Sequence, residues 1–357
     1  MATVQLQASP PVSRGMIVFF PTYARRTPTG WSADVAGMVA RPLPEHSRRR
    51  TLAMAVMKRL LDLDDTQSAS DIFRARAELF LFQRVAGHPV RVVFGDREID
   101  VGLSDKAGHF SVSIEFDHAS VERFARNSVR GGRWLEYEGM PVAGADADDA
   151  RATATGVIHL VDDVGTSVIS DIDDTVKFSN VADRRELLRN TLVRDFVPVV
   201  GMPEAYQRWQ DTGVAFHYVS SSPWQMSDCL SHFLGDVGLP AGSMHLKLFR
   251  LKDSTPLRRI PTRTRGKKRV IDRIMADFPA RRFWLVGDSG ERDPEIYATI
   301  ARRRPEQVAG VLIREVPAKA SRAKVRERLA KLASRLPQGG LTVFQTPEEL
   351  AEAVGVG

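Results

Sequence analysis

Hydrophobic and polar positions change period twice along the chain. Met16–Phe20 and Trp31–Ala40 read as strands, separated by the turn-prone run "PTYARRTPTG". Leu52, Val56, Leu60 and Leu63, then Ile72, Phe73, Leu79 and Phe80, fall at helical spacing and predict two amphipathic helices. From Pro89 the period returns to two. In "HFSVSIEF", Phe110, Val112, Ile114 and Phe116 face one way and Ser111, Ser113 and Glu115 the other, as in an antiparallel sheet with one wet face. Trp134–Tyr137 and Ala152–Val161 add strands around the acidic loop "AGADADDA". Residues 16–162 are therefore expected to form a β-sandwich-like domain with inserted helices, anchored by Trp31 and Trp134, after a disordered stretch over 1–15.

Beyond Gly165 short apolar strands alternate with segments of helical length: "SVIS", "AFHYVS", "FWLVGD" and "VAGVLIR". That alternation predicts an α/β domain over 163–357, a doubly wound parallel sheet with no large cap, and places the boundary between residues 160 and 166. A chain of 357 residues with 43% apolar content has material for two cores. No internal repeat is apparent.

Lys and Arg number 51 against 44 Asp and Glu, a net charge of +7 that favours anionic partners such as phosphate esters, acidic lipid surfaces or nucleic acid. The chain shows no dedicated nucleic-acid-binding signature. Cys229 is the only cysteine, which excludes an internal disulfide and cysteine-based metal clusters and suits a reducing compartment. "MIVFF" is too short for a membrane span and lacks the flanks of a signal peptide, so a cytoplasmic protein is expected, with an anionic membrane surface as a peripheral partner.

In open α/β sheets functional groups collect at the carboxyl ends of strands. Asp171, Asp173 and Thr175 follow the first such strand in "SVISDIDDTVKFSN", Ser220 follows the second, Lys267 opens the helix "KKRVIDRIMADF", and Asp288 and Asp293 follow "FWLVG". A plain reading makes the first cluster a solvated turn with Asp173 or Asp174 capping a helix. The ordered set argues for chemistry instead. Crowded carboxylates repel one another unless a cation compensates, and Mg2+, which takes oxygen ligands and keeps waters, fits such a site. Asp171, Asp173, Asp288 and Asp293 are the candidate metal residues, with Asp171 and Asp288 supplying carboxylates. Asp171 is the candidate nucleophile and Asp173 the acid/base, while Ser220 and Lys267 meet charge on a transferring phosphoryl group. Thr175, Lys177, Ser221 and Ser222 are candidate substrate contacts. His217, inside its strand, reads as a core histidine.

These residues resemble the four motifs of the haloacid dehalogenase superfamily of aspartate-nucleophile phosphatases. More narrowly, "SDIDDTVKFSNV", "YVSSSPW" and "ADFP…FWLVGDSGERDPEIY" resemble the catalytic domain of the actin-patch-associated phosphatidate phosphatases and their bacterial homologues, and D-x-D-x-T is also the lipin-type signature. The resemblance covers about residues 160–315. It implies a Mg2+-dependent phosphatase forming an aspartyl-phosphate on Asp171, with phosphatidate as substrate and diacylglycerol and phosphate as products. A soluble phosphate ester, a phosphoprotein, or a membrane scaffold with a vestigial site are the alternatives. The family often has His before its lysine where this chain has Gly266, so Lys268 competes with Lys267 for that role; the spacing to "FP" favours Lys267. Trp224, Met226, Phe233 and Leu234, with the basic run through Arg269, read either as a helix core beside a solvated loop or as a cationic, apolar rim that meets a bilayer.

Overall fold

The computed structural model describes residues 17–128, 130–140, 154–247, 263–317, 321–337 and 339–350. The expected disordered start and the loop "AGADADDA" lie outside them, as does most of the basic run between 248 and 262. The first part runs β1 (Ile17–Phe19), β2 (Thr22–Thr27), β3 (Gly30–Pro42), α1 (Arg48–Leu61), α2 (Asp65–Ala69), α3 (Asp71–Glu78), β4 (Phe82–Arg84), β5 (Pro89–Phe94), β6 (Arg97–Leu103), β7 (His109–Asp117), α4 (His118–Phe124), β8 (Arg126–Asn127), β9 (Arg133–Gly139) and β10 (Thr155–Val161). The second continues β11 (Gly165–Ser170), β12 (Lys177–Phe178), α5 (Arg184–Leu192), β13 (Val197–Pro198), α6 (Met202–Asp211), β14 (Ala215–Pro223), α7 (Ser227–Asp236), β15 (Gly242–Lys247), α8 (Arg263–Asp277), β16 (Arg281–Asp288), α9 (Asp293–Arg303), β17 (Val308–Arg314), α10 (Arg322–Ala333) and β18 (Leu341–Phe344).

Among the described residues the strands of the first part join one hydrogen-bonded path, β1-β3-β2-β10-β9-β5-β6, with β7 on β3. Apolar side chains from most of them converge on a core that includes Trp31, Val35, Phe94, Phe110, Phe116 and Tyr137. Phe110, Ile114 and Phe116 of β7 are buried and Ser111, Ser113 and Glu115 exposed, as the two-residue period requires. The run "PTYARRTPTG" departs from its turn-like reading, because Thr22–Thr27 is a strand. Thr22–Arg25 pair in parallel with Ile158–Val161 of β10, and Ala24–Thr27 antiparallel with Gly30–Ala33 of β3, leaving the turn to Pro28 and Thr29. Long-range pairing overrides the turn residues. Tyr23 and Ala24 are buried in the cores on opposite faces of the strand, while Arg26 reaches Asp162 at 2.9 Å.

In the second part β15-β14-β11-β16-β17-β18 form a six-stranded sheet, every pair parallel. Successive side chains face opposite cores. Ile169, Leu285, Val311 and Ile313 meet Ile271, Ile274, Tyr297, Val325 and Leu329 from α8, α9 and α10. Val168, Val286 and Leu312 meet Met202, Tyr206, Trp209, Leu230 and Phe233 from α6 and α7. Between Thr175 and Ser220 the chain holds only β12, α5, β13 and α6, with no globular cap.

The parts interlock. Tyr23 and Val161 belong to the same core as Ile271 and Phe283, and Tyr23 donates to Asp277 at 2.6 Å. Trp224 is held by Phe20 and Phe82, and α1–α3 pack Leu61, Phe73 and Ala77 onto Leu192 of α5. Trp224, Met226, Phe233 and Leu234 are all buried, so the helix-core reading of that stretch holds and the apolar-rim reading does not.

Candidate active site

The parallel sheet brings the ends of β11, β14 and β16 side by side, and the loops after them carry the acids. Asp171 follows β11, and its backbone N–H bonds Val286 of β16 at 2.9 Å, so the first acid is still tied into the sheet. The chain then coils tightly: Thr175, Val176 and Lys177 all donate backbone N–H groups to Ile172 O. Asp174 adopts φ of 55°, a left-handed conformation that Asp tolerates better than most residues. Its carboxylate gathers the N–H groups of Ser179 and Asn180 at 2.8 Å and Val181 at 2.6 Å, and Arg314 grips its carbonyl at 2.7 Å. Asp174 thus shapes the turn, and β12 returns to pair with β13.

Asp171, Asp288 and Asp293 present carboxylate oxygens within 4.8 Å of one another, all buried. Lys267 enters from the first turns of α8 and bonds Asp171 Oδ1 at 2.8 Å and both oxygens of Asp293 at 2.6 and 2.7 Å. Lys268 points elsewhere and pairs with Asp272. Gly287, in front of Asp288, makes room for this approach: a Cβ there would stand 2.5 Å from Asp293 Oδ2.

One ammonium faces three carboxylates. Burial pushes Asp171 and Asp288 well above the usual carboxylate range; Lys267 opposes this, and the neighbouring acids add to it. Burial works against the Lys267 charge, but Asp171 and Asp293 outweigh it and hold the ammonium protonated. Asp288 Oδ1 accepts from Gly290 and Glu291 N–H at 2.6 and 3.0 Å, while its Oδ2 is buried with no hydrogen-bond partner. An unpartnered oxygen and a surplus of negative charge are what a hard divalent cation relieves, so the residues fit Mg2+.

Asp173 stands apart from that group. Its Oδ1 takes Lys177 Nζ at 2.8 Å and Ser179 Oγ at 2.6 Å, and its Oδ2 takes Ser222 Oγ at 2.6 Å and Ser220 Oγ at 3.3 Å. Burial would raise this acid, but the Lys177 ammonium and the hydroxyls outweigh it and hold it down at about 2. Of the substrate-contact candidates, Thr175 Oγ1 lies 3.4 Å from Asp171 Oδ2, and Ser221 reaches Glu291 at 3.5 Å. Lys177, almost fully buried, also bonds Ser179 and lies 4.9 Å from the Phe196 ring centroid. Ser179 was not singled out by sequence reasoning, having no motif to mark it, and Asp174 was read there only as a possible helix cap, whereas it organises the turn. His217 is a core residue, bonded to Ser243 at 2.7 Å and driven well below its ordinary value by burial. Burial raises the Cys229 thiol.

Residues 166–315 match the family model of the phosphatidate phosphatase APP1 catalytic domain. This segment is similar to an APP1-type catalytic domain. Phosphatidate phosphatase APP1 of Saccharomyces cerevisiae is 30% identical over 256 residues, 68% of this chain and 40% of its own. An uncharacterized protein of Schizosaccharomyces pombe is 32% identical over 163 residues, 44% of this chain and 26% of its own. The chain therefore spans less than half the length of these APP1-like relatives. A D,D-heptose 1.7-bisphosphate phosphatase from B. bronchiseptica superposes with a TM-score of 0.32 and 14% identity over 53% of this chain and 97% of its own, a likeness too slight to assign a fold. Among the described residues no helix is long and apolar enough to cross a membrane.

Proposed function

We propose that the chain is a Mg2+-dependent phosphatase that acts through an aspartyl-phosphate on Asp171, with phosphatidate as substrate. The observation that carries this reading is the buried meeting of Asp171, Asp288, Asp293 and Lys267 from two separate strand ends and two helices. Likeness to a phosphatidate phosphatase supports the substrate. The division of labour takes 163–357 as the catalytic unit and 16–162 as its β-sandwich-like companion, with the parallel sheet doubly wound.

Asp171 and Asp288 would hold the cation, which supplies charge neutralisation and polarises a phosphoryl oxygen. Asp293 anchors Lys267, which meets the charge developing on the transferring group. In the first half-reaction an Asp171 carboxylate oxygen bonds to phosphorus as the ester P–O bond breaks, and the leaving oxygen takes a proton. Asp173 rests ionised, so that proton arrives with a substrate monoanion and passes through its carboxylate. In the second half-reaction water attacks phosphorus, its proton goes to Asp173, and Asp171 is freed. The hydroxyls of Ser220, Ser222 and Ser179 hold the Asp173 carboxylate in place for both transfers.

Phosphate release from phosphatidate and from para-nitrophenyl phosphate, with Mg2+ and with chelator, tests the reading. Metal-dependent turnover of phosphatidate that falls by about 10^3 or more in Asp171→Asn is expected. Unchanged activity in that variant would remove the nucleophile assignment, and turnover of soluble esters alone would move the substrate to a soluble phosphate ester or phosphoprotein.

A further inference from the structure

Most large apolar side chains of the second part are buried, yet three exposed ones gather beside the catalytic loop. Phe178 is 51% exposed, Val197 52% and Val200 86%. Phe178 and Val197 are directly opposed across the antiparallel pair β12–β13, so both side chains leave the same face of the ribbon with Cβ atoms about 5 Å apart. The other face carries Lys177, which is buried opposite Pro198. The strand ends there: Val199 is buried with its N–H on Val176 O at 2.9 Å, and Val200, in the turn that follows, is exposed.

This ribbon is built on the acid/base residue. Lys177 and Ser179, the two neighbours of Phe178, both bond Asp173 Oδ1. The site is polar and cation-bearing within, and apolar Phe178 stands between two of the residues that bond its acid. A ligand matched to that sequence of environments is an amphiphile whose anionic phosphate enters and whose hydrocarbon stays at the rim. The net charge of +7 is complementary to an acidic lipid surface.

We infer that the exposed face of Phe178, Val197 and Val200 docks on the hydrocarbon boundary of a glycerophospholipid surface and so selects phosphate esters embedded in it. The inference rests on the phosphatidate reading for the identity of the ester and deepens it by naming the contact surface. Val164, 67% exposed next to the amino end of β11, lies at the opposite end of the sheet from the site and serves as the control.

The test compares wild type, the double variant Val197→Ser/Val200→Ser, and Val164→Ser, each checked for an unchanged melting temperature. Sedimentation with phosphatidylcholine vesicles doped with phosphatidate reads binding, and phosphate release reads turnover on the vesicles and on para-nitrophenyl phosphate. The double variant is expected to lose about tenfold or more in vesicle binding and in kcat/KM on vesicles, while its turnover of the soluble ester stays that of wild type and Val164→Ser matches wild type throughout. Vesicle binding equal to wild type in the double variant, or an equal loss in Val164→Ser, overturns the inference. So does a wild type that ignores vesicles, or one that forms dimers which the double variant cannot. If wild type binds vesicles through these residues but cleaves only the soluble ester, the docking face stands and the phosphatidate assignment falls.

Discussion

Asp174 illustrates how much of the site depends on a residue that performs no chemistry. Its carboxylate accepts from Ser179, Asn180 and Val181, fixing the turn that presents Ser179 to Asp173. Asp174→Ala removes both oxygens that accept these three bonds and puts a less tolerant residue at positive φ. A loss of about 2–4 kcal/mol in urea unfolding is expected, with reduced turnover, and Asp174→Asn should lose less because it keeps one acceptor oxygen and tolerates the backbone. That Asp171, Asp288 and Asp293 come together was legible in the sequence because they follow apolar strands of one parallel sheet. The parting of Asp171 from Asp173 was not. Nothing in "DIDDT" says that Asp171 joins Asp288 while Asp173 turns to four donors from Lys177, Ser179, Ser220 and Ser222; that follows from the coil of the turn and from residues far along the chain.

At the scale of elements, the passage from β10 to β11 is held by one side chain. Arg281, at the start of β16, bonds Ser167 Oγ at 2.8 Å and the carbonyls of Asp162 at 2.7 Å, Val164 at 2.5 Å and Thr166. Burial lowers its guanidinium to about 10, still charged at neutral pH. Lysine reaches the same place with a single ammonium and cannot serve carbonyls spread over this turn. Arg281→Lys is therefore expected to cost about 2–4 kcal/mol by chemical denaturation and to speed amide exchange in residues 162–168. Strands such as β7 were readable from their alternation. β2 was hidden because each of its faces carries a single buried apolar side chain, Tyr23 on one and Ala24 on the other, among Arg and Thr, too short a pattern to outweigh the flanking prolines. The exposure of Phe178 and Val197 is fixed by the β12–β13 pairing, which their apolar character does not announce.

For the molecule as a whole, buried imidazoles set the response to acid. Burial, aided by Arg281, drives His159 down to about 4, and its ring is stacked on Trp134 at 4.4 Å. The unfolded chain binds this proton near pH 6.5 and the folded one near 4, so the stability tied to neutral His159 is intact above 6.5 and is lost as pH falls toward 4. The full span is worth about 3 kcal/mol. The raised carboxylates of Asp171 and Asp288 act in the opposite sense when no cation is bound, so the measurement is a difference. The pH dependence of urea unfolding between 7 and 4 is expected to be flatter by about that amount in His159→Gln than in wild type.

The two parts also share a core. Tyr23, from near the start of the chain, packs with Phe278 and His217, and the backbone of Pro21 accepts from Met244 at 2.9 Å. The family boundary at residue 166 is thus a line in sequence and not a seam in space. A gene fragment cut there would leave raw aromatic surface where Phe20, Tyr23 and Phe82 had sat, and is expected to emerge as inclusion bodies, whereas a fragment carrying both halves stays dispersed. Shuffling this catalytic unit onto other proteins would require its β-rich partner to travel with it.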